Sequence, residues 1–308
     1  MDLTNITNLV KTEALRIGFD AVGFAEVQEA STEREHIEHW LKEGNQAGMG
    51  YMERNVSLRL NPQELMNGAK SVISVALNYY PSHLQNPENP RIAYYAYGED
   101  YHVVVKEKLF LLWEFIKKVH PDAQQSKARC FTDTAPILER YWAWKAGLGF
   151  IGKNTNLIIP GKGSFFFLGE IVSALPFIYD TPQKNRCGSC TRCMDACPTQ
   201  ALVAEKTLDA RKCLSYLTIE HRGELPHPQS QQLENRLFGC DTCQCVCPWN
   251  RLARPNNEPR FAPNLPILNL KKEDILNMNQ EKYNELFANS PLKRAEYNGL
   301  IRNAKALK

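Results

Sequence analysis

Over most of its 308 residues the chain is poor in cysteine, in net charge and in long apolar runs. Residues 1–186 contain a single cysteine, Cys130. No stretch reaches the roughly 18 continuous apolar residues that a membrane-spanning helix needs, which excludes an integral membrane protein of that kind. The N-terminus, MDLTNITNLVKTEALRIG, lacks a basic segment followed by an apolar core, so no secretory signal is expected and the chain reads as cytoplasmic. A net charge of +3 is too small to announce a nucleic-acid binder. Only residues 251–308 lean basic, with 11 Lys/Arg against 6 Asp/Glu. There is no internal repeat apart from two cysteine motifs, and no phosphate-binding P-loop. Gly147, Gly149 and Gly152 match the letters of a dinucleotide-binding GxGxxG, but they follow a predicted helix rather than a strand, which is the wrong context. Asp100-Tyr101-His102 opens like the cobalamin-loop pattern DxHxxG, but Val105 stands where the glycine belongs, so the match has no weight by itself.

What is present is ordinary globular composition, 43% apolar and 23% charged, enough for two domains with cores of their own. Leu3, Ile6, Leu9, Val10, Ala14 and Ile17 form a helical stripe closed by Gly18. AVGFA (21–25) reads as a buried strand. Thr32 and Glu35 have capping-box spacing, opening a helix towards Gly44. SVISVALNYY (71–80) is β-branched and apolar, a central strand, and PSHLQNPENP (81–90) is a loop. Asp100 caps a long helix from Tyr101 to about His120. A strand at about 127–132 leads into Asp133, with Pro136 in the first turn of a helix running to Gly147. Residues 156–175 read as a hairpin, and two helices are expected at about 271–288 and 292–306. The fold class is therefore mixed α/β over residues 1–180, a small cysteine-rich domain over 181–250, and a basic, mostly helical segment over 251–308.

Nine of the ten cysteines lie between 187 and 247. Disulfide scaffolds belong to short secreted chains, so metal thiolates in a reducing compartment are the better reading. Cys187-x2-Cys190-x2-Cys193-x3-Cys197-Pro198 is the bacterial ferredoxin run. Cysteines at every third residue wrap three corners of an iron–sulfur cube, and the fourth, before proline, ligates the other cluster. The second motif is irregular. Cys240 and Cys243 are followed by Cys245 and by Cys247-Pro248, and Val246 occupies the regular third position. With Cys213 from upstream, the two-cluster logic assigns Cys187, Cys190, Cys193 and Cys247 to one 4Fe–4S cluster. It assigns Cys197, Cys213, Cys240 and Cys243 to the other. Cys245 and Cys130 are left as spare thiols. Two structural zinc sites are the competing reading.

Longer motifs carry a resemblance. Asp133-Thr134-Ala135-Pro136-Ile137-Leu138-Glu139-Arg140-Tyr141 and Ala146 to Thr155 (AGLGFIGKNT) are similar to the epoxyqueuosine reductase family. So are Gly98-Glu99-Asp100-Tyr101-His102, Tyr216 to Gly223 (YLTIEHRG) and the irregular second cysteine motif with Cys213. The resemblance spans about residues 5–305. It implies a nitroreductase-like cobalamin domain followed by a ferredoxin-like domain with two 4Fe–4S clusters. It also implies reduction of epoxyqueuosine in a tRNA wobble position to queuosine, by a monomer supplied by an external low-potential electron donor.

On this resemblance Asp133 is the proton donor to the departing oxygen, and burial near the corrin would keep it protonated at rest. Its competing role is the cap of the helix at Pro136. Tyr101 and His102 would line the corrin or substrate cavity. Lys153 and Asn154 sit in a glycine-flanked turn suited to close cofactor approach. Ser215, two residues after Cys213, would touch both cluster loop and corrin, and Arg54 and Arg59 would meet corrin carboxamides or a nucleotide-tail phosphate. His221 and Arg222 would contact tRNA, helped by Arg251, Arg254, Arg260, Lys293 and Arg294. Longer relatives continue into a helical-repeat segment beyond the position of Lys308. The alternatives are another cobalamin reductase of dehalogenase type, or a ferredoxin-type electron-transfer module without catalysis of its own.

Overall fold

A computed structural model describes residues 2–308. In chain order the first half holds α1 (Leu3–Ile17), β1 (Ala21–Glu26), α2 (Ser31–Lys42), α3 (Val56–Leu60), α4 (Pro62–Leu65), β2 (Ser71–Asn78), β3 (Arg91–Ile92), α5 (Tyr101–Val119), β4 (Ala128–Phe131), α6 (Glu139–Lys145), β5 (Phe150–Ile151), β6 (Leu157–Ile158) and β7 (Phe166–Ser173). There follow α7 (Arg192–Asp195), β8 (Leu202–Ala204), β9 (Thr207–Leu208), α8 (Leu214–Ile219), β10 (Arg236–Phe238), α9 (Thr242–Cys245), α10 (Leu265–Leu268), α11 (Lys272–Leu276), α12 (Gln280–Leu286) and α13 (Glu296–Ala306). Among the described residues, no helix is long and apolar enough to cross a membrane.

The centre is an antiparallel sheet in the order β1-β2-β7-β4. The apolar stripe of α1 buries Ile6, Val10 and Ala14. The helix ends at Gly18 with φ 107°, whose amide bonds back to the last turn. α1 and α5 cover one face of the sheet through Val105, Leu109 and Ile171. The other face meets α6 and the 60–69 segment through Trp142, Leu60, Val72, Ala76 and Val172. At about 1.5–3 kcal/mol for each fully buried large apolar side chain, these two layers dominate the stability of this half. A third core joins Ile92, Tyr97, Leu237 and Phe238 to Ile275, Phe287 and Leu300 of the C-terminal helices. There β10 pairs in parallel with β3, so the late chain is sewn onto the early loop.

Four local expectations are corrected. The Thr32/Glu35 box does not form: α2 starts at Ser31, because buried Ala30 bonds its amide to Leu60 O and fixes the entry earlier. The helix after Asp133 begins at Glu139 rather than Pro136, so Asp133 is no cap, and the Glu139 carboxylate accepts the Asp133 amide instead of starting a helix there. The 156–175 hairpin is divided. β6 pairs with β5, while β7, apolar on both faces, runs between β2 and β4. Residues 271–288 form two helices, because Asn279 accepts from Lys282 N and starts a second one.

Gly23 in β1 lies where α6 ends. A Cβ there would stand 2.0 Å from Ala146 O, a backbone atom that cannot move aside. Gly23→Ala is expected to destabilise by about 1–3 kcal/mol and lower the thermal unfolding midpoint by several degrees. An unchanged midpoint would contradict this packing.

Candidate functional site

The site begins at the N-terminus of α5. Asp100 caps the helix, with Oδ1 accepting from His102 N (3.1 Å) and His102 Nδ1 (2.6 Å), while Oδ2 holds Lys293 Nζ at 2.7 Å. His102 then turns its other nitrogen outward, Nε2 standing 3.2 Å from Asp133 Oδ2. Tyr101 donates its hydroxyl to the same oxygen at 2.6 Å. The Tyr101 ring is pressed between Phe167 (4.2 Å, nearly parallel) and His102 (4.1 Å), which fixes the hydroxyl's direction. Asp133 has a left-handed backbone, φ 56°, and its amide donates to Glu139 Oε1 at 2.5 Å. Its side chain is 57% exposed, so the carboxylate faces an opening.

The charges follow from this geometry. Burial alone would lower the His102 pKa, but the Asp100 and Asp133 carboxylates outweigh it and lift the imidazole to about 9. Burial would raise Asp133, yet the hydrogen bonds from His102 and Tyr101 prevail and hold it below the usual carboxylate range. His102 is thus the protonated partner of this pair, whereas the sequence alone suggests an Asp133 kept protonated by burial near the corrin. Asp100 is held low in the same way, by His102 and Lys293 against its burial. Burial and then the Asp133 charge push Glu139 up to about 7.

Tyr51 lies within electrostatic reach of Glu220, Arg294, Asp133 and Arg59. Arg59 donates to Tyr51 O at 2.9 Å, and its Nε is buried without a partner. Tyr216 Oη accepts the Gly48 amide at 2.8 Å, which holds the 46–59 loop against α8, the helix that carries Ser215 behind Cys213. Arg54 stands exposed on that loop. Arg294 makes a two-point contact with Glu220, at 2.8 and 2.9 Å.

The thiols fall into two groups. Cys193 has Cys247 and Cys187 as neighbours, and Cys247 has Cys187 and Cys190. Cys213 has Cys240 and Cys197, and Cys243 has Cys240, Cys213 and Cys197. α7 and α9 carry the two motifs and pack together. Among the described residues no three His, Cys, Asp or Glu side chains converge tightly enough to hold a single metal ion. Four thiols to a group, in ferredoxin spacing, suit an iron–sulfur cube. Cys245 is exposed, its Sγ 3.8 Å from Tyr94 Oη, and Cys130 lies in β4 away from both groups.

The structure thus brings Tyr101, His102 and Asp133 together, while Arg59 is tied to Tyr51. Lys153 and Asn154 lie elsewhere, at the thiol loops: Lys153 Nζ bonds Glu205 at 2.7 Å and Asn154 donates to Cys243 O at 3.2 Å. His221 Nε2 lies 2.8 Å from Glu224 O, and Arg222 bonds Ile219 O and Arg294 O and faces Glu296 at 3.2 Å. The sequence reading passed over Tyr51, over Asp100 as more than a cap, and over Glu139 and Glu170. For Glu170 the signal was there, a lone acid in the apolar run FFFLGEIVSAL.

Comparison with known proteins agrees with this arrangement. A family model described as epoxyqueuosine reductase QueG, DUF1730, matches residues 59–134, and one for a 4Fe-4S double cluster binding domain matches residues 186–250. The epoxyqueuosine reductase of Cellulophaga algicola is 43% identical over 302 residues, covering 98% of each chain. That of Cyclobacterium marinum is 45% identical over 307 residues, covering 98% of this chain and 96% of its own. The chain belongs to the epoxyqueuosine reductase family. Among solved members, an epoxyqueuosine reductase with a tRNA-Tyr epoxyqueuosine-modified stem loop superposes with a TM-score of 0.91 at 32% identity, over 99% of this chain and 81% of that one. The Bacillus subtilis epoxyqueuosine reductase, described with an aspartate catalytic loop swung out of the active site, also gives 0.91, at 31% identity, over 99% of this chain and 81% of that one. Mixed helix–strand architecture and a double-cluster domain are therefore properties of this family member.

Two predictions follow from the geometry. The His102 imidazole should titrate near 9 by NMR, and Asp100→Asn should lower that midpoint; a value at or below the ordinary 6.5 contradicts the pairing. Because the folded value is raised, the stabilisation from this pairing is complete below about 6.5 and is lost as pH climbs through about 9. Cys187→Ser and Cys197→Ser should each halve the iron content, whereas Cys245→Ser should leave it unchanged. Loss of iron in Cys245→Ser would redraw the two groups.

Proposed function

We propose that the chain reduces epoxyqueuosine in the wobble position of a tRNA to queuosine, drawing electrons singly from a low-potential donor through two 4Fe–4S clusters to a cobalamin. One observation carries this reading: a charged His102 and the Tyr101 phenol converge on one oxygen of the exposed Asp133 carboxylate. Converting an epoxide to an alkene takes two electrons and two protons and releases water. When bound, cobalamin supplies a strongly reducing, nucleophilic cobalt to the substrate carbon. The residues present suit such a group. Arg59 offers a buried Nε with no partner, and its guanidinium holds the backbone of Tyr51.

Asp133 is the proton donor. His102 holds one proton at rest and passes it through Asp133 Oδ2 to the oxygen as the ring opens. A second, taken up from solvent by the same pair, lets that oxygen leave as water when the remaining C–O bond breaks. Tyr101 fixes the carboxylate's orientation and compensates its charge. Asp100 and Lys293 hold His102 in place. The loop containing Asp133 is free of helix or strand, which suits a segment that moves to admit substrate.

The clusters are held by Cys187, Cys190, Cys193 and Cys247, and by Cys197, Cys213, Cys240 and Cys243. Residues 1–180 form the cobalamin domain, 181–250 the cluster domain and 251–308 a basic segment facing the tRNA. An anticodon base leaves its stack to enter the opening while cations hold the flanking phosphates. His221 serves here, and Arg222 contributes by ordering the 293–296 segment as much as by direct contact. The protein works as a monomer in the cytoplasm.

Asp133→Asn tests the reading. It should keep both clusters and the corrin absorption bands, yet lose about 10²–10⁴-fold in formation of the deoxygenated nucleoside, scored by mass. Full turnover in that variant removes the proposed role.

A further inference from the structure

Four residues on adjacent strands line up across the face of the sheet beneath α6. Gly23 pairs with Ser74, Ser74 with Glu170, and Glu170 with Phe131. Glu170 is wholly buried, and neither of its carboxyl oxygens meets a hydrogen-bond donor of ordinary geometry. Ser74 Oγ beside it and Trp142 Nε1 on α6 are likewise buried and unpartnered. Above it packs α6, whose first residue is another acid, Glu139, near enough to act on Glu170 electrostatically. Two ionised carboxylates in contact inside a protein are strongly disfavoured, and a single shared proton turns the repulsion into a hydrogen bond. Glu139 also accepts the amide of Asp133, the residue with the left-handed backbone. Positive φ in a non-glycine residue persists only where its surroundings hold it.

We propose that Glu170 is a positioning residue that donates a retained proton to Glu139, keeping Glu139 as the charged acceptor that latches the Asp133 amide and so holds the catalytic loop closed. The relay runs Glu170 O–H to Glu139 carboxylate to Asp133 N–H. No proton is consumed and no bond of the substrate is touched. The charged groups acting on the pair are few. Asp133 and Glu139 bear on Glu170, and Asp133, Arg140 and His102 bear on Glu139. From the flanking strands come only Ser74 and Phe131, neither of which carries charge. Burial and the acid neighbours push both carboxyls upward, Glu139 to about 7. Glu170, raised furthest, is the one of the pair that keeps its proton; once it too ionises, two adjacent anions repel and the latch loosens.

The inference rests on the proposed role of Asp133, but its main test does not need turnover. In the cluster-loaded full chain without substrate, hydrogen exchange of the Asp133 amide should quicken at least tenfold in Glu170→Leu. In Glu170→Gln, whose amide still donates to Glu139 and never ionises, it should stay protected. With cobalamin and modified tRNA, Glu170→Leu should lower kcat at least tenfold with little change in KM. Glu170→Gln should retain kcat and lose less of it at alkaline pH than the unaltered chain. Equal exchange in all three proteins, or a Glu170→Gln variant as defective as Glu170→Leu, overturns the latch. A latch that behaves as stated in a chain that deoxygenates nothing leaves this inference standing and refutes only the proposed activity.

Discussion

Tyr101 and His102 meet the same oxygen of Asp133 because they are neighbours in the first turn of one helix, and that helix starts where it does because Asp100 caps it. A carboxylate with two donors on one oxygen stays ionised, and an imidazole between two carboxylates stays charged. The acid–base state of the site is thus set by a helix cap, an element usually considered for stability alone. Lys293 closes the arrangement from the far end of the chain by neutralising the outer oxygen of Asp100. The C-terminal segment is therefore part of the site's electrostatics.

The same economy governs how the cysteine-rich part is attached. Asn250 ties the amide of Ser164 at 2.6 Å and the carbonyl of Gln244 at 2.7 Å. Gln244 in turn reaches Ser164 and the buried Tyr79. These are neutral hydrogen bonds in a buried setting, each worth about 0.5–1.5 kcal/mol net but costly to leave unmade, so they fix orientation more than they add stability. Asn154 on Cys243 O serves the same purpose. An electron path between thiol loops and catalytic opening depends on such fixed relative placement.

Where the sequence reading succeeded, a local rule was sufficient. The stripe of α1 ending at Gly18, the buried β2 and the Asp100 cap each depend on residues within a turn or two. Where it failed, a distant partner decided. Thr32 and Glu35 have capping spacing, but Ala30 is pinned by Leu60, which lies on another helix. Pro136 is suited to a helix start, but the Glu139 carboxylate is engaged by Asp133. Residues 156–175 have the look of a hairpin, but β7 gains more by lying between two long strands than by folding back on a two-residue one. Asp133 stands out in its motif, whereas the two donors that α5 brings to its carboxylate follow only from the fold.

The sequence by itself determined the chemistry on offer: nine clustered thiols in ferredoxin spacing, an aspartate in a long specific motif, and helices and strands of the right periods. Residue types and short spacings follow from covalent order, so they are readable without a fold. Tertiary structure decided which groups share a proton and which thiols share a neighbourhood. Those outcomes depend on distances between residues tens to hundreds of positions apart, such as Asp100 and Lys293, or Glu139 and Glu170, and electrostatic energy is a function of distance in space rather than of separation along the chain.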